Sequence, residues 1–291
     1  MKQLLILSGK GGTGKTTIAS AFIKLANAKA CADCDVDAPN LHLINTWSTK
    51  PKKTDYYGLP KARINPDLCI GCDQCRINCR FDAISLDEEY KVVSYACEGC
   101  GVCEYVCPAG AITMEPAVAG DLMLYSDGEK VFSTAQLKMG SGNSGMLVTE
   151  VKKQMKSAKV NTELAIIDGS PGIGCPVIAS LSGVDMVLIV AEPSLSGISD
   201  MERVVNTAAN FRSKIALCIN KYDTNVINTE TIETFCKNRG LPFVGRIPFD
   251  ASAVRAINSG QTIVDIDCIS GDSVREIYQK TMELLFEEDG G

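Results

Sequence analysis

Short apolar runs recur along the chain, and most are unbroken rather than alternating, as in strands buried on both faces of a parallel sheet. Leu4–Leu7, Ala28–Ala32, Leu164–Asp168, Asp185–Ala191, Lys214–Ile219 and Phe243–Ile247 predict such strands. Thr17–Ala28 and Met146–Lys156 predict helices, and Asp272–Glu288 predicts an acidic helix near the C-terminus. Leu122–Tyr125 and Lys130–Ser133 flank Ser126-Asp127-Gly128-Glu129 and predict a hairpin. The polar stretch Asn45–Pro60, with Lys50-Pro51-Lys52-Lys53 inside it, reads as a linker. Lys138–Gly145 is a glycine-rich loop that either lines a site or merely links. The pattern is that of an α/β fold with a mostly parallel sheet.

The first strand runs straight into Gly9-Lys10-Gly11-Gly12-Thr13-Gly14-Lys15-Thr16, which fits G-x-x-x-x-G-K-[ST] and leads through Thr17 into a helix. That strand–loop–helix context marks a phosphate-binding loop. Glycines let backbone N–H groups converge on phosphate oxygens, and the helix N-terminus adds favourable partial charge. Lys15 is expected on the β- and γ-phosphates, with Thr16 as a ligand of Mg²⁺. Leu164–Asp168 is an apolar strand closing on a carboxylate, so Asp168 is expected to bind Mg²⁺ through water.

Eight of the fourteen cysteines lie between Cys69 and Cys107. Cys69, Cys72, Cys75 and Cys79 form one C-x2-C-x2-C-x3-C run, and Cys97, Cys100, Cys103 and Cys107 form a second, offset by 28 positions. The repeat extends to Asp82–Leu86 and Gly110–Met114. Two four-cysteine zinc sites would show C-x2-C pairs separated by longer spacers. The spacing resembles that of bacterial ferredoxins, in which three close thiolates wrap one [4Fe–4S] cluster and the fourth reaches the other cluster. Crossed ligation then gives Cys69, Cys72, Cys75 and Cys107 to one cluster, and Cys79, Cys97, Cys100 and Cys103 to the other. Arg80 stands where the second run has Pro108, a departure that removes no ligand. The phosphate loop precedes the cysteines and Asp168 follows them, so a small α+β ferredoxin-type domain, 59–115, is expected to be inserted between 1–58 and 116–291.

Composition narrows the field further. A net charge of −6 over 291 residues argues against non-specific nucleic-acid binding. No run approaches the ~18 apolar residues of a membrane span, and Leu4–Leu7 is too short for a secretory signal. Cysteines in that setting point to metal ligation rather than disulfides, and the expected compartment is the cytoplasm. Cys31, Cys34, Cys218, Cys236 and Cys268 read as small buried hydrophobes, and so does Cys175, seven residues after Asp168.

The second lysine of the loop, in Lys10-Gly11-Gly12-Thr13-Gly14-Lys15-Thr16, resembles the deviant Walker A ATPases: MinD, ParA, the Mrp/Nbp iron–sulfur carriers and the nitrogenase iron protein. The resemblance implies that Lys10 crosses a dimer interface to the partner's nucleotide, as an arginine finger does. It identifies Asp33-Cys34-Asp35-Val36-Asp37-Ala38-Pro39-Asn40-Leu41 as switch I, with Asp35 holding or activating the attacking water, and Gly172 as the switch II glycine. Asn220-Lys221-Tyr222-Asp223 is open to a guanine-binding reading by itself. Under the resemblance, Asn220 contacts adenine and Pro248 belongs to the next base-side loop.

Taken along nearly its whole length, the chain is similar to MinD-superfamily ATPases of anaerobes with an inserted ferredoxin domain. This implies ATP and Mg²⁺ beside two [4Fe–4S] clusters, a homodimer or a heterodimer with a related ATPase, and a redox or metallocluster-binding partner. It implies no stable membrane anchor, since the acidic terminal helix is unlike the basic targeting helix of cell-division ATPases. Three functions are open: an ATP-gated electron donor, an iron–sulfur carrier, and a positioning ATPase with a structural ferredoxin module. Asp35 leads through Pro39-Asn40-Leu41 toward the cysteine region, an adjacency through which switch I is expected to move the insert.

Overall fold

The computed structural model describes residues 1–44, 47 and 49–287. In chain order its strands are β1 (Lys2–Leu7), β2 (Ala30–Asp33), β3 (Lys52–Tyr57), β4 (Lys61–Ile64), β5 (Ile84–Leu86), β6 (Tyr90–Val92), β7 (Ile112–Glu115), β8 (Val118–Ser126), β9 (Val131–Leu137), β10 (Leu164–Asp168), β11 (Met186–Ala191), β12 (Lys214–Asn220) and β13 (Phe243–Ile247). The helices are α1 (Lys15–Leu25), α2 (Leu41–Ile44), α3 (Gln74–Ile77), α4 (Val102–Tyr105), α5 (Ser144–Ser157), α6 (Cys175–Leu181), α7 (Leu195–Ala208), α8 (Val226–Arg239), α9 (Ala251–Asn258) and α10 (Ile269–Phe286).

Nine strands form one sheet in the order β13-β12-β11-β1-β10-β2-β9-β8-β3. From β13 to β9 every pairing is parallel, while β8 and β3 add an antiparallel edge. Successive side chains of a strand face opposite sides, so an unbroken apolar strand feeds two cores. In β1, Leu5 and Leu7 join one buried cluster with Ile167, Val187 and Val148. Leu4 and Ile6 join the other with Phe22, Ile166, Leu188 and Ile277. The predicted hairpin is β8–β9, longer at both ends than its apolar centre suggested.

Part of the polar stretch expected to be a linker is a strand. Lys52–Tyr57 pairs antiparallel with β8 at the sheet edge, and only Tyr56 of its six residues is buried. An edge strand exposed on both faces except at Tyr56, and carrying lysines, lacks the apolar signature of the central strands, which is why it reads as loop. Parts of the predicted linker and of the terminal helix, residues 45, 46, 48 and 288, lie outside the described residues. Helix α10 packs on the second core through Val274, Ile277 and Leu285, and Tyr278 meets Phe22 edge-on at 5.2 Å. No described helix is long and apolar enough to cross a membrane.

Residues 61–115 stand apart from this sheet. Strand β4 pairs antiparallel with β7, and β5 with β6, around an apolar cluster of Ala62, Cys75, Ala83, Ile84, Cys97 and Ile112. The 28-residue repeat is visible in the backbone. Helices α3 and α4 each follow a left-handed residue, Asp73 (φ 63°) and Gly101 (φ 75°). The N–H groups of Ala83 and Ala111 donate to the sulfurs of Cys79 and Cys107 at 3.4 and 3.3 Å.

Candidate functional site

Strand β1 leads through α1 to β2 on one side of the sheet, whereas β10 leads through α6 to β11 on the other. The crevice of a doubly wound sheet opens at such a switch point, beyond the C-terminal strand ends. The phosphate loop lies there, between β1 and α1. Gly14 takes φ 90° at the start of α1, and a Cβ on it would stand 2.2 Å from Asn220 Nδ2. Only glycine fits that place.

Lys15 is buried and forms a short ion pair with Asp168 Oδ1, and its Nζ lies 3.4 Å from Thr16 Oγ1. Burial alone would lower the pKa of this ammonium, but Asp168, with Asp33 and Asp35 behind it, holds it above the ordinary lysine value. The other Asp168 oxygen, Oδ2, is buried without a partner, as is Thr13 Oγ1. A buried carboxylate oxygen and a buried threonine hydroxyl, each left unpaired, are oxygen donors of the kind a hard cation takes.

Asp33 is a site residue that the sequence reading passed over. It is the register partner of Asp168 on the adjacent strand, so two carboxylates sit side by side at the strand ends. Burial, and then the Asp168 charge, push Asp33 up to about 7 against the pull of Lys15. Its oxygens accept from the N–H groups of Asp35 (3.0 Å), Asn40 (3.1 Å) and Leu41 (3.0 Å), so it fastens both ends of the segment expected to be switch I. The available signal was an apolar strand closing on aspartate, the same pattern that marked Asp168. Asp35 is half-buried beyond it, with its carboxyl raised by burial and opposed by Lys15.

The segment expected to be switch II joins the same network. Gly172, at φ 93°, donates its N–H to the Ser8 carbonyl at 3.0 Å, beside the phosphate loop. The Ser170 hydroxyl donates to the Cys34 carbonyl, and Cys34 N–H to the Asp168 carbonyl at 2.8 Å, so the two switch segments are tied together.

Lys10 stays within its own chain here, where Glu192, Ser194 and Ser196 surround its ammonium. Asn220 donates its amide to the Thr13 carbonyl at 2.7 Å, and Lys221 donates to the Gly12 carbonyl at 3.2 Å. The expected base-contacting asparagine is thus engaged in holding the phosphate loop. Asp223 accepts from Phe249 N–H at 2.7 Å, which fastens the loop carrying Pro248 and occupies one oxygen that a guanine base would need.

The cysteines divide between two cavities. Cys69, Cys72, Cys75 and Cys107 line one, walled by Ile64, Ile70 and Ile112. Cys79, Cys97, Cys100 and Cys103 line another, walled by Phe81, Ile84 and Val92. Each cavity takes three sulfurs from one run and the fourth from the other. Among the described residues, no three Cys, His, Asp or Glu side chains converge as a single metal ion requires.

The remaining cysteines are of mixed character. Cys31, Cys34, Cys218 and Cys236 are buried as expected. Cys175 is exposed at the start of α6 rather than in the core, because it opens a helix at the surface end of switch II. Cys268 is half-buried and caps α10, its sulfur accepting from Gly271 N–H at 3.3 Å.

Comparison with known proteins agrees with this geometry. Residues 4–263 match the family model of the CobQ/CobB/MinD/ParA nucleotide binding domain. An uncharacterized protein of Methanocaldococcus jannaschii is 34% identical over 291 residues, covering 97% of each chain. The pyruvate synthase subunit PorD of Methanothermobacter marburgensis is 38% identical over 68 residues, 23% of this chain and 82% of that subunit. The septum site-determining protein MinD of Pyrococcus horikoshii, solved with Mg-ADP, has a TM-score of 0.59 at 16% identity, covering 98% of this chain and 97% of that one. That last likeness is one of fold.

Proposed function

The chain belongs to the CobQ/CobB/MinD/ParA nucleotide-binding domain family, and within it we propose an ATP-hydrolysing iron–sulfur protein that couples dimer and switch changes to electron transfer toward a redox or metallocluster partner. In this reading 59–115 is a two-cluster ferredoxin-type domain set into an ATPase domain of 1–58 and 116–291. The observation that carries it is the partition of eight cysteines into two cavities, each completed by the other run's last cysteine. Both cavities have apolar walls and four sulfurs, a donor set that fits a [4Fe–4S] cluster held by full thiolate ligation. Such clusters supply one-electron transfer when bound.

At the other site, ATP takes Lys15 away from Asp168 and onto its β- and γ-phosphates, while the N–H groups of Gly11–Thr16 cradle the phosphate oxygens. Thr16 and the freed Asp168 would hold Mg²⁺. Asp35 positions the attacking water, and Asp33 sets Asp35 through its backbone N–H. Lys10 must leave Glu192 to reach a neighbouring subunit's phosphates, which makes hydrolysis depend on a homodimer or a heterodimer with a related ATPase. The cytoplasm suits exposed Cys72 and Cys100, which an oxidising compartment would attack.

The test is anaerobic. Purified protein is assayed for iron, acid-labile sulfide and Mg²⁺-dependent ATP hydrolysis, then reduced and offered an oxidised metalloprotein with and without ATP. Oxidation of the chain that needs ATP and leaves its iron in place is the expected result. ATP-dependent passage of iron to the acceptor would instead identify a carrier. ATPase activity with no iron at all would leave the positioning function to which the fold likeness with MinD points.

A further inference from the structure

The loop Lys138–Gly145 lies between immediate neighbours of the two expected switch segments and touches the second cysteine run. It leaves β9 at Leu137, whose N–H donates to the Val36 carbonyl at 2.9 Å, next to Asp35. Lys138 N–H is fixed to the Ala119 carbonyl at 2.8 Å, and Ser141 N–H to the Lys138 carbonyl at 3.0 Å, so the loop begins as a tight turn. At its far end Gly145 lies flat against the start of α6. A Cβ there would meet the Cys175 carbonyl oxygen, carbonyl carbon and Cβ at 3.0, 3.1 and 3.1 Å. Cys175 follows switch II by three residues.

Between these ends the loop rests on the insert. Gly140 takes φ 73°, and a Cβ on it would stand 2.9 Å from Tyr95 Cβ. A Cβ on Gly142 would stand 3.1 Å from Glu98 Oε2. Tyr95 and Glu98 bracket Cys97, whose carbonyl also accepts from Lys61 Nζ. A Cβ on Gly99 would lie 2.4 Å from the Pro60 carbonyl oxygen. The second cysteine run thus packs closely on both Pro60 and the loop.

Helices α5 and α6 travel together. Gly145 contacts Cys175 at one end, and Lys152 of α5 donates to the Ala179, Ser180 and Ser182 carbonyls at the other end of α6. A displacement of switch II that carries α6 must carry α5 and the end of the loop with it. Loops ordered by γ-phosphate and released on hydrolysis are a recurrent switching device.

Building on the function proposed above, we infer that Lys138–Gly145 is the element through which nucleotide state reaches the cavity of Cys79, Cys97, Cys100 and Cys103. The route runs from the two switches through Leu137 and Cys175 to Tyr95 and Glu98. It differs from the route expected of the sequence, which went from switch I through Leu41 into a linker; that segment instead meets edge strand β3. The quartet of Cys69, Cys72, Cys75 and Cys107 responds less, because the loop touches only the second run among the contacts described.

The experiment is amide hydrogen exchange on full-length protein with Mg²⁺ and either ADP or a non-hydrolysable ATP analogue. Exchange over residues 95–103 should differ between the two nucleotides by about fivefold or more, the lower end of ordinary coupling energies. Exchange over 69–75 serves as the internal reference. In Gly145→Ala, and in a variant with two extra glycines inserted after Gly142, that difference should disappear while nucleotide affinity stays within about threefold. The insertion relaxes the loop without a clash, so it tests the idea even where Gly145→Ala folds badly. Nucleotide binding with equal exchange over 95–103, or an undiminished difference in the inserted variant, overturns the coupling and leaves the ATPase reading standing. Failure to bind nucleotide overturns both.

Discussion

Lys10 and Glu192 form an ion pair at 3.2 Å within one chain, with Ser194 Oγ accepting from the same ammonium at 2.9 Å. Glu192 also faces Lys221 at 3.5 Å, so one carboxylate holds two lysines at the mouth of the phosphate loop. In the proposed cross-subunit role, Lys10 has to break this pair before it can reach a neighbouring subunit.

Lys10→Ala should still bind ATP but hydrolyse it at least about a hundredfold more slowly, the effect of losing one donor to transition-state charge. Glu192→Gln should act oppositely. A half-exposed pair of this kind is worth at most about 1 kcal/mol, so releasing Lys10 should raise the hydrolysis rate about two- to fivefold. Rates measured against protein concentration check both, since the effect belongs to the dimer. Equal rates for wild type and Lys10→Ala under dimer-forming conditions would refute the cross-subunit role.

Lys15→Ala should abolish Mg-nucleotide binding and also destabilise the nucleotide-free protein. Asp168 is fully buried, and removing its partner leaves an unpaired interior charge, at about 3–5 kcal/mol. Lys15→Met combined with Asp168→Asn should regain most of that stability yet bind no nucleotide. Denaturant unfolding and nucleotide titration on the three proteins separate the two roles of Lys15.

Cys79→Ser should disturb the cluster whose other three ligands are Cys97, Cys100 and Cys103, not one formed by its own run. The cavity it lines is the one those three surround. Anaerobic wild-type protein should carry about eight irons, as two four-iron clusters, and the variant should lose signal from one paramagnetic centre while the other persists. Stoichiometric zinc in place of iron would end the assignment.

What the sequence made legible follows from how each feature is encoded. Central strands such as β1 and β10 are buried on both faces and announce themselves as apolar runs; β3 is exposed except at Tyr56 and does not. The phosphate loop and the cysteine runs are local motifs whose spacing is itself the chemistry. Asp33 escaped because its importance comes from register: only pairing of β2 with β10 sets it beside Asp168. The cis contact of Lys10 with Glu192, separated by most of the sheet in sequence, has no local signature either. Lys138–Gly145 was legible as a glycine-rich loop, but its partners Tyr95 and Cys175 are distant in sequence, so its contacts were not.

Lys152 gives the fold a pH dependence with a definite sign. Its ammonium is buried at the C-terminal end of α6, donating to the Ser182 carbonyl at 2.6 Å and the Ala179 carbonyl at 3.3 Å. Burial, reinforced by Lys156 and opposed by Cys34, lowers its pKa from 10.5 to about 8. The unfolded chain keeps this proton up to about 10.5, so between pH 8 and 10.5 it binds more protons than the folded chain. Stability contributed by this group therefore rises with pH across that window and is flat below it. Cys34 is pushed up to about 12, with Lys152 opposing the shift, and gives a slope of the opposite sign above pH 9, so the steps below pH 9 carry the test. The quantity to measure is the unfolding free energy of wild type minus that of Lys152→Met, by urea titration at steps from pH 7 to 10. A difference that grows with pH is expected, and one that is constant or shrinks would mean that the carbonyls of α6 hold the ammonium well enough to cancel its burial.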